Sequence, residues 1–199
     1  MKKKIIIGVT GALATGKTTA SDMFASKGAF KIDADGIAHK LLEEDERIIA
    51  KVLDLFGREI LTGSKIDRKK LAGKVFSDKE KLKKLSGIMH PEIIRRIKEE
   101  TAGSNSPVVV IDAPLLVETN LHDYVDIVVV VRSSAGTQIK RAKNRGISSE
   151  EAKRIIEEQL PLSEKAKFAD YVIDNDSGLE KIKKGVEEIW KNVQKERKS

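Results

Sequence analysis

Five short apolar runs, rich in β-branched residues, recur along the chain and predict strands that are buried on both faces. They cover residues 5–9, 29–32, 108–111, 127–131 and 171–173. Between these runs, apolar residues recur at the spacing of amphipathic helices, as in segments 48–56 and 179–193. Strands that alternate with helices predict an α/β fold with three layers, in which helices cover both faces of a five-stranded parallel sheet.

The connections between the predicted strands differ in length, and the two longest predict separate parts of the fold. About seventy residues separate the second and third runs, which is too many for a simple crossover. We expect this segment to form a helical domain that binds a substrate, which we call the acceptor domain. We expect a later insertion rich in Arg and Lys to form a mobile lid. The predicted boundaries are about 1–36, 104–137 and 168–199 for the core, about 37–103 for the acceptor domain and about 138–167 for the lid.

A glycine-rich phosphate loop follows the first predicted strand and predicts the fold of P-loop NTPases. Residues 11–18 match the pattern G-x-x-x-x-G-K-[ST], and a helical segment follows directly. Backbone N–H groups of such a loop and the N-terminus of its helix bind phosphate oxygens, the lysine contacts the β and γ phosphates, and the hydroxyl of Thr18 is a ligand for Mg²⁺. The predicted nucleotide contacts are Gly11, Ala12, Leu13, Ala14, Thr15, Gly16, Lys17, Thr18 and Thr19.

The class of nucleoside triphosphate enzyme has to come from features outside the loop. The N-K-x-D element that reads guanine is absent, and the chain is short for most motor or helicase cores. Asp33 and Asp35 follow the second predicted strand, at the carboxyl edge of the sheet where ligands of open α/β sheets bind. We interpret Asp35 as a general base for an acceptor hydroxyl, with Asp33 supporting it or joining the Mg²⁺ water shell. Helix capping by either residue is the alternative.

Two arginines are candidates for stabilising the charge that develops on the transferred phosphoryl group. Arg141 and Arg145 are four residues apart, and on the helix that we expect there they share one face. Their place after the fourth strand, where lid helices of nucleotide kinases lie, favours this role. An exposed helix face without function is the alternative.

Composition limits the remaining chemistry. The chain has no cysteine, which excludes disulfides, thiolate metal sites and cysteine nucleophiles, and its formal charge of +7 favours anionic partners. No apolar stretch is long enough to span a membrane, and we expect a cytoplasmic location. The spacing of His39, His90 and His122 does not match that of metal ligands.

A nucleic-acid-binding protein with a vestigial phosphate loop is a competing hypothesis. The complete loop and the lack of aromatic residues that could stack on bases count against it.

The sequence resembles the dephospho-coenzyme A kinase family over residues 6–189. The resemblance is carried by Gly8-Val9-Thr10-Gly11 before the phosphate loop, Asp33-Ala34-Asp35 with Ala38-His39, Phe56-Gly57, Ile66-Asp67-Arg68, Val75-Phe76, His90-Pro91, Pro114-Leu115-Leu116 with Glu118, Gln138 with Arg141 and Arg145, Gln159, Ala169-Asp170 and Asn175. The chain departs from the family at Ala12 and Ala14, where glycines are common, and this departure affects the expected loop conformation.

This resemblance implies an ATP- and Mg²⁺-dependent kinase that phosphorylates the ribose 3′-hydroxyl of dephospho-coenzyme A, an alcohol acceptor, in the last step of coenzyme A synthesis. It implies that Asp35 is the base and that Lys17 and Arg141 stabilise phosphates. Arg145 and Asn175 are implied on the ATP side, with Asn175 in the adenine pocket. The implied acceptor contacts are Thr10, Asp33, His90, Pro114 and Leu115. A nucleoside or nucleotide kinase of the same fold with another small acceptor remains the alternative.

Overall fold

The structure is a computed structural model that describes residues 4–75 and 78–197. Phe76, which belongs to the family pattern given above, lies outside the described residues. The described residues form two compact units. We call the residues up to Asp33 and from Gly103 onward the sheet unit, and Ala34–Ala102 the helical unit.

The regular elements follow a β/α order that is interrupted by the helical unit. In chain order they are β1 (Ile5–Gly11), α1 (Lys17–Ser26), β2 (Phe30–Asp33), α2 (Ala34–Glu44), α3 (Glu46–Phe56), β3 (Leu61–Thr62), β4 (Lys65–Ile66), α4 (Arg68–Val75), α5 (Lys79–Gly103), β5 (Val108–Asp112), β6 (Ile127–Arg132), α6 (Ala135–Lys143), α7 (Ser149–Glu158), α8 (Leu162–Lys165), β7 (Tyr171–Asp174) and α9 (Leu179–Glu196). Short 3₁₀ turns occur at Arg58–Ile60, Leu121–Tyr124 and Ala166–Phe168.

The sheet unit is built on five parallel strands in the order β2-β5-β1-β6-β7. All five predicted strands are present and parallel, so the predicted α/β fold is confirmed. β1 is the central strand, and its Ile7 pairs with Val110 of β5 and Ile127 of β6. Because the chain leaves the carboxyl end of this central strand directly into the phosphate loop, that loop lies at the middle of the sheet edge where ligands bind.

Apolar side chains fix α1 and α9 against the sheet. Phe24 of α1 is fully buried in the same cluster as Val9 and Val129 of the strands, and Val186 of α9 joins them at 0% exposure. Burial of each such side chain stabilises the fold by roughly 1.5–3 kcal/mol. Trp190 packs on this cluster with its ring 6.5 Å from that of Phe24, so the apolar spacing of 179–193 is that of a core helix.

The helical unit contains α2 to α4, most of α5 and a two-stranded antiparallel ribbon of β3 and β4. The predicted helical spacing of 48–56 is confirmed by α3, which begins where the side chain of Asp45 accepts hydrogen bonds from the backbone N–H groups of Arg47 and Ile48. α3 ends at Gly57, whose φ of 76° few other residues adopt. Within the described part of the chain, no helix is long and apolar enough to cross a membrane.

Candidate active site

The phosphate loop is folded by contacts within its own sequence. The backbone N–H and the hydroxyl of Thr15 both donate to the carbonyl oxygen of Ala12, at 3.3 and 3.0 Å. Gly16 follows with a φ of 100°, and a Cβ there would lie 2.5 Å from Nδ2 of Asn175. Only glycine satisfies both conditions, and the loop therefore enters α1 at Lys17 in one defined conformation.

The two alanines that replace customary glycines in the loop are not equivalent. Ala14 has a φ of 56°, in the left-handed region that costs an ordinary residue about 1–2 kcal/mol. Among the described residues, only Ala14 and Asn120 combine a side chain with positive φ, so Ala12 has an ordinary backbone conformation. The departure from the family pattern is therefore tolerated easily at Ala12 and at an energetic cost at Ala14.

Arg141 and Asn175 hold the loop from the carboxyl edge of the sheet. The guanidinium of Arg141 donates to the carbonyl oxygen of Asn175 at 2.7 Å and to that of Ala14 at 3.5 Å. The side-chain amide of Asn175 in turn donates to the carbonyl oxygen of Thr15 at 2.7 Å. Asn175 is only 4% exposed, and its Oδ1 is buried without a hydrogen bond to any described residue. Sequence reasoning named both residues, and the structure places both directly on the phosphate loop.

Gln159 contacts the loop from the C-terminal end of α7. Its side-chain oxygen accepts a hydrogen bond from the backbone N–H of Leu13 at 3.2 Å. One of the loop donors that the sequence assigns to phosphate is thus bound to a side chain of the predicted lid segment. The family pattern contains Gln159, but sequence reasoning gave it no role.

Lys17 is buried beside a carboxylate. Its ammonium group forms an ion pair with Asp112, the last residue of β5, and Asp112 is 1% exposed. The other carboxylate oxygen of Asp112 lies 3.8 Å from Nζ of Lys31. Burial opposes the charge on Lys31, but a hydrogen bond to Asp22 and the negative charges of Asp112, Asp22 and Asp33 outweigh burial and raise the pKa of Lys31. Two lysines therefore compensate one buried carboxylate next to the phosphate loop.

Residues 114–120 form a turn, which we call the Pro114 turn. It is joined to the end of β1 and to α8. The hydroxyl of Thr10 donates to the carbonyl oxygen of Pro114 at 3.1 Å. The same oxygen accepts from Lys165, whose ammonium also lies 2.9 Å from the carboxylate of Glu118. Burial lowers the pKa of Lys165, Glu118 opposes this shift, and the charge of Lys17 adds to it. Leu115 is the other predicted acceptor contact of this turn. Its carbonyl oxygen accepts a hydrogen bond from the hydroxyl of Thr119 at 2.7 Å.

The paired acids fall on two sides of the division between the units. Asp33 is the exposed last residue of β2 in the sheet unit, whereas Asp35 is exposed in the first turn of α2 in the helical unit. His90 is half-buried within α5 of the helical unit. A carboxylate in the first turn of a helix is favoured by the helix dipole, so the position of Asp35 also has a structural rationale.

The expectation that Arg141 and Arg145 share one helix face is wrong. α6 ends at Lys143, and Arg145 lies exposed in the turn that follows. The helix stops because Gly146 has a φ of 81°, and the N–H of Ile147 returns to the carbonyl oxygen of Ala142 at 3.1 Å. A glycine shortly after a helical segment often marks the end of the helix, and Gly146 could have been used in this way. The charged residues around it favour a helix and led to the opposite expectation.

The residues of the loop fit a magnesium nucleotide. Thr18 is an exposed residue at the second position of α1, directly after Lys17. The described residues contain no group of three His, Cys, Asp or Glu side chains that could hold a metal ion by themselves. Mg²⁺ in kinases is bound by one or two protein ligands together with substrate phosphates, so the donor set around Thr18 fits it without such a group.

Lys31, Gln159 and Lys165 are the site residues that sequence reasoning missed. Lys31 and Lys165 lie in a chain with many surface lysines, and no local pattern separates them from the rest. Gln159 had a signal, since it belongs to the family pattern, but that pattern does not say which atom it contacts.

Sequence comparison connects this geometry with known proteins. The family model described as Dephospho-CoA kinase matches residues 5–181. The Dephospho-CoA kinase of Fusobacterium nucleatum is 41% identical over 191 residues, which is 95% of this chain and 98% of that protein.

Structural comparison gives the same result for the fold. The solved structure of the Dephospho-CoA kinase from Campylobacter jejuni is 29% identical and superimposes with a TM-score of 0.69, covering 96% of this chain and 97% of the other. Shikimate kinase from Bacteroides thetaiotaomicron is 18% identical with a TM-score of 0.53, covers 96% of this chain and 98% of its own, and shows the shared kinase fold alone.

Proposed function

Because this chain belongs to the dephospho-CoA kinase family, we propose that it transfers the γ-phosphoryl group of ATP to the ribose 3′-hydroxyl of dephospho-coenzyme A, giving coenzyme A and ADP. The observation that carries the proposal is the family match over residues 5–181, which includes a complete phosphate loop with its lysine. This reaction is the last step of coenzyme A synthesis. A cytoplasmic location remains a prediction from the sequence.

On the ATP side, the loop and the cations around it bind and orient the triphosphate. Lys17 turns from Asp112 to the β and γ phosphates, and Lys31 stays beside Asp112 so that this carboxylate keeps a partner. Arg141, which already contacts the loop at Ala14, adds positive charge where the transferred phosphoryl group develops negative charge. Thr18 would supply a protein ligand to Mg²⁺, and the bound ion would offset the negative charge of the phosphates during transfer.

On the acceptor side, Asp35 accepts the proton of the 3′-hydroxyl as that oxygen attacks the γ-phosphorus. Asp33, Thr10, Pro114, Leu115 and His90 complete the proposed acceptor contacts. The helical unit serves as the acceptor-binding domain, and residues 138–167 serve as the lid that excludes water from the transferred group. Support for these assignments comes from the family membership together with the bond between Thr10 and Pro114.

The experiment is a measurement of ADP release by the purified protein with ATP and Mg²⁺, in the presence and absence of dephospho-coenzyme A. We expect release that depends on the acceptor, together with a product that has the mass of coenzyme A. A parallel panel of nucleosides and nucleotides at the same ATP concentration serves as the control. Rapid turnover with a member of that panel and none with dephospho-coenzyme A would reject the proposed acceptor and keep the kinase assignment.

A further inference from the structure

The segment that joins α7 to α8 is attached at both ends to the candidate active site. We call residues 159–165 the tether segment. At its start, Gln159 accepts the N–H of Leu13 in the phosphate loop at 3.2 Å. One residue later, the N–H of Leu160 donates to Oε1 of Glu118 at 3.0 Å, and at the end of the segment Lys165 pairs with the same carboxylate oxygen at 2.9 Å. The tether segment is thus bonded to both the ATP-side loop and the Pro114 turn.

Lys165 is the unusual member of this network, since its side chain is 0% exposed. A buried ammonium has lost its hydration, and an apolar side chain of similar volume fills such a position at lower cost. Lys167, only two residues later, shows the ordinary arrangement: it is 67% exposed and pairs with Glu164 at 2.7 Å. The energetic disadvantage of the charge at Lys165 points to a role other than packing.

The carbonyl oxygen of Pro114 is the group on which this charge acts. It accepts one hydrogen bond from the Thr10 hydroxyl at 3.1 Å and one from the Lys165 ammonium. A carbonyl oxygen has two lone pairs, so both acceptor directions are used and the orientation of this peptide is fixed. Because Thr10 lies in β1 immediately before the phosphate loop, the Pro114 turn is held between the central strand and the tether segment.

We propose that the buried Lys165–Glu118 pair is a positioning element of the acceptor site, which holds the Pro114 turn and the tether segment in one arrangement relative to the phosphate loop. This inference rests on the proposed function, because Pro114 and Thr10 are acceptor contacts in that proposal. Lys165 acts through the Pro114 peptide and through Glu118. It is therefore a positioning residue and contributes no reacting atom.

The test is the double variant Lys165→Met/Glu118→Gln, which removes the ion pair without leaving a buried charge unpaired. The glutamine retains an oxygen that can accept the N–H of Leu160, so the tether segment keeps its other anchor. We expect kcat/KM for dephospho-coenzyme A to fall by about tenfold or more, since a displaced acceptor reacts slowly. The dissociation constant of ATP, measured by calorimetry, should stay within about twofold of the wild-type value.

A matched control uses an exposed pair of the sheet unit that lies outside the tether segment and the proposed lid. Arg132 and Asp174 pair at 3.2 Å, with side chains that are 51% and 52% exposed. The double variant Arg132→Met/Asp174→Asn removes that pair, and we expect wild-type kinetic constants because exposed pairs contribute little. A second readout is rescue: Lys165→Arg keeps a charged donor for Glu118 and should retain more acceptor kcat/KM than Lys165→Met. A residue that only filled space would show the reverse order.

Two results would overturn the inference. Wild-type acceptor kcat/KM in the Lys165→Met/Glu118→Gln variant is the first. If that variant does not fold, Glu118→Gln alone decides, because it is nearly isosteric, and unchanged acceptor kcat/KM in this single variant is the second. An active wild-type enzyme with unaffected variants rejects only the positioning role, whereas a wild-type enzyme without activity on dephospho-coenzyme A rejects the proposed function and this inference together.

Discussion

Charged residues around the phosphate loop and charged residues of the helical unit form the same kinds of pairs in opposite surroundings. Lys17 and Asp112 are 9% and 1% exposed in their side chains. On α5 of the helical unit, Arg95 pairs with Glu92 and Glu99 while its own side chain is 42% exposed. Water competes for the second set and is excluded from the first, so the energetic value of a pair depends on its location more than on its geometry.

The comparison explains why composition was a poor guide to the site. About a third of the residues are charged, and most of them lie on helix surfaces where an ion pair contributes little to stability. The buried charges Lys17, Asp112 and Lys165, by contrast, lie in the loop, at the end of β5 or against the Pro114 carbonyl. Four single substitutions and one double variant, with their controls, test the site and its surroundings, beginning with the one that should have the largest effect.

Lys17→Ala should break the buried pair and remove the cation that we propose binds the β and γ phosphates. We expect kcat to fall by about 1,000-fold, as when a main electrostatic stabiliser is lost. The free energy of unfolding should also fall, by about 2–3 kcal/mol, since Lys31 at 3.8 Å is the cation that remains near Asp112 among the described residues. The measurements are steady-state kinetics and urea denaturation.

A second substitution separates the two effects of Lys17→Ala. In Lys17→Ala/Asp112→Asn, the carboxylate charge is gone, so stability should recover while kcat stays low. If the single variant is as stable as the wild-type protein, the buried location of Asp112 has no energetic consequence and the comparison fails.

Asp35→Asn tests the opposite case, an exposed charge of the helical unit that we propose acts as the general base. We expect kcat to fall by about 100-fold because the general base is lost, with ATP affinity unchanged within about twofold. The free energy of unfolding should change by less than about 1 kcal/mol, since Asp35 is exposed in the first turn of α2. Asp54→Asn, an exposed carboxylate of α3, serves as the control and should leave both quantities unchanged. A lower ATP affinity without slower transfer would reject the role of Asp35 as base.

Ala14→Gly tests whether the phosphate loop keeps its conformation in spite of backbone strain at Ala14. Glycine removes the cost of a left-handed alanine and adds chain entropy to the unfolded state, so we expect a net gain of about 0.5–1 kcal/mol in unfolding free energy. Ala12→Gly is the matched control, and its ordinary backbone predicts a small loss instead. Thermal denaturation of the two variants should therefore give shifts of opposite sign, and equal shifts would contradict the strain at Ala14.

Arg95→Ala should have the smallest effect, although Arg95 contacts two carboxylates. The neighbours Glu92 and Glu99 raise the pKa of Arg95, but an arginine is charged at neutral pH without them. In the variant, water replaces the contacts that the two carboxylates lose. We expect a melting temperature within about 1 °C of the wild-type value and unchanged kinetics. A loss of stability comparable to that of Lys17→Ala would show that exposed pairs of the helical unit are structural after all.

The sheet could be predicted from the sequence because its cause is local. Runs such as 108–111 and 127–131 are apolar without alternation, and this pattern requires burial on both faces. The order of the strands has no such local cause, since it depends on which crossovers the whole chain can make. The end of α6 was misjudged for a related reason: the charged residues favour a helix, and a single glycine at 146 ends it.

The candidate site was predictable as far as motifs reach. The phosphate-loop motif includes Lys17 and Thr18, the position of Arg141 after the fourth predicted strand made it a candidate, and the family resemblance added Asn175. Arg141 and Asn175 both contact the loop. Lys165 could not be found in this way. It is a lysine near other lysines, and its burial results from tertiary packing that no local pattern encodes.

The position of β1 at the centre of the sheet also has a consequence for how the protein is made. β1 and β2 leave the ribosome before β5, yet β5 is a neighbour of both, and it appears only after the helical unit has been synthesised. Until residues 108–112 emerge, the two early strands have unpaired edges and depend on chaperones or on solvation to avoid association. Pairing between such distant segments is slow, so we expect the helical unit to acquire its structure during translation while the catalytic sheet assembles late.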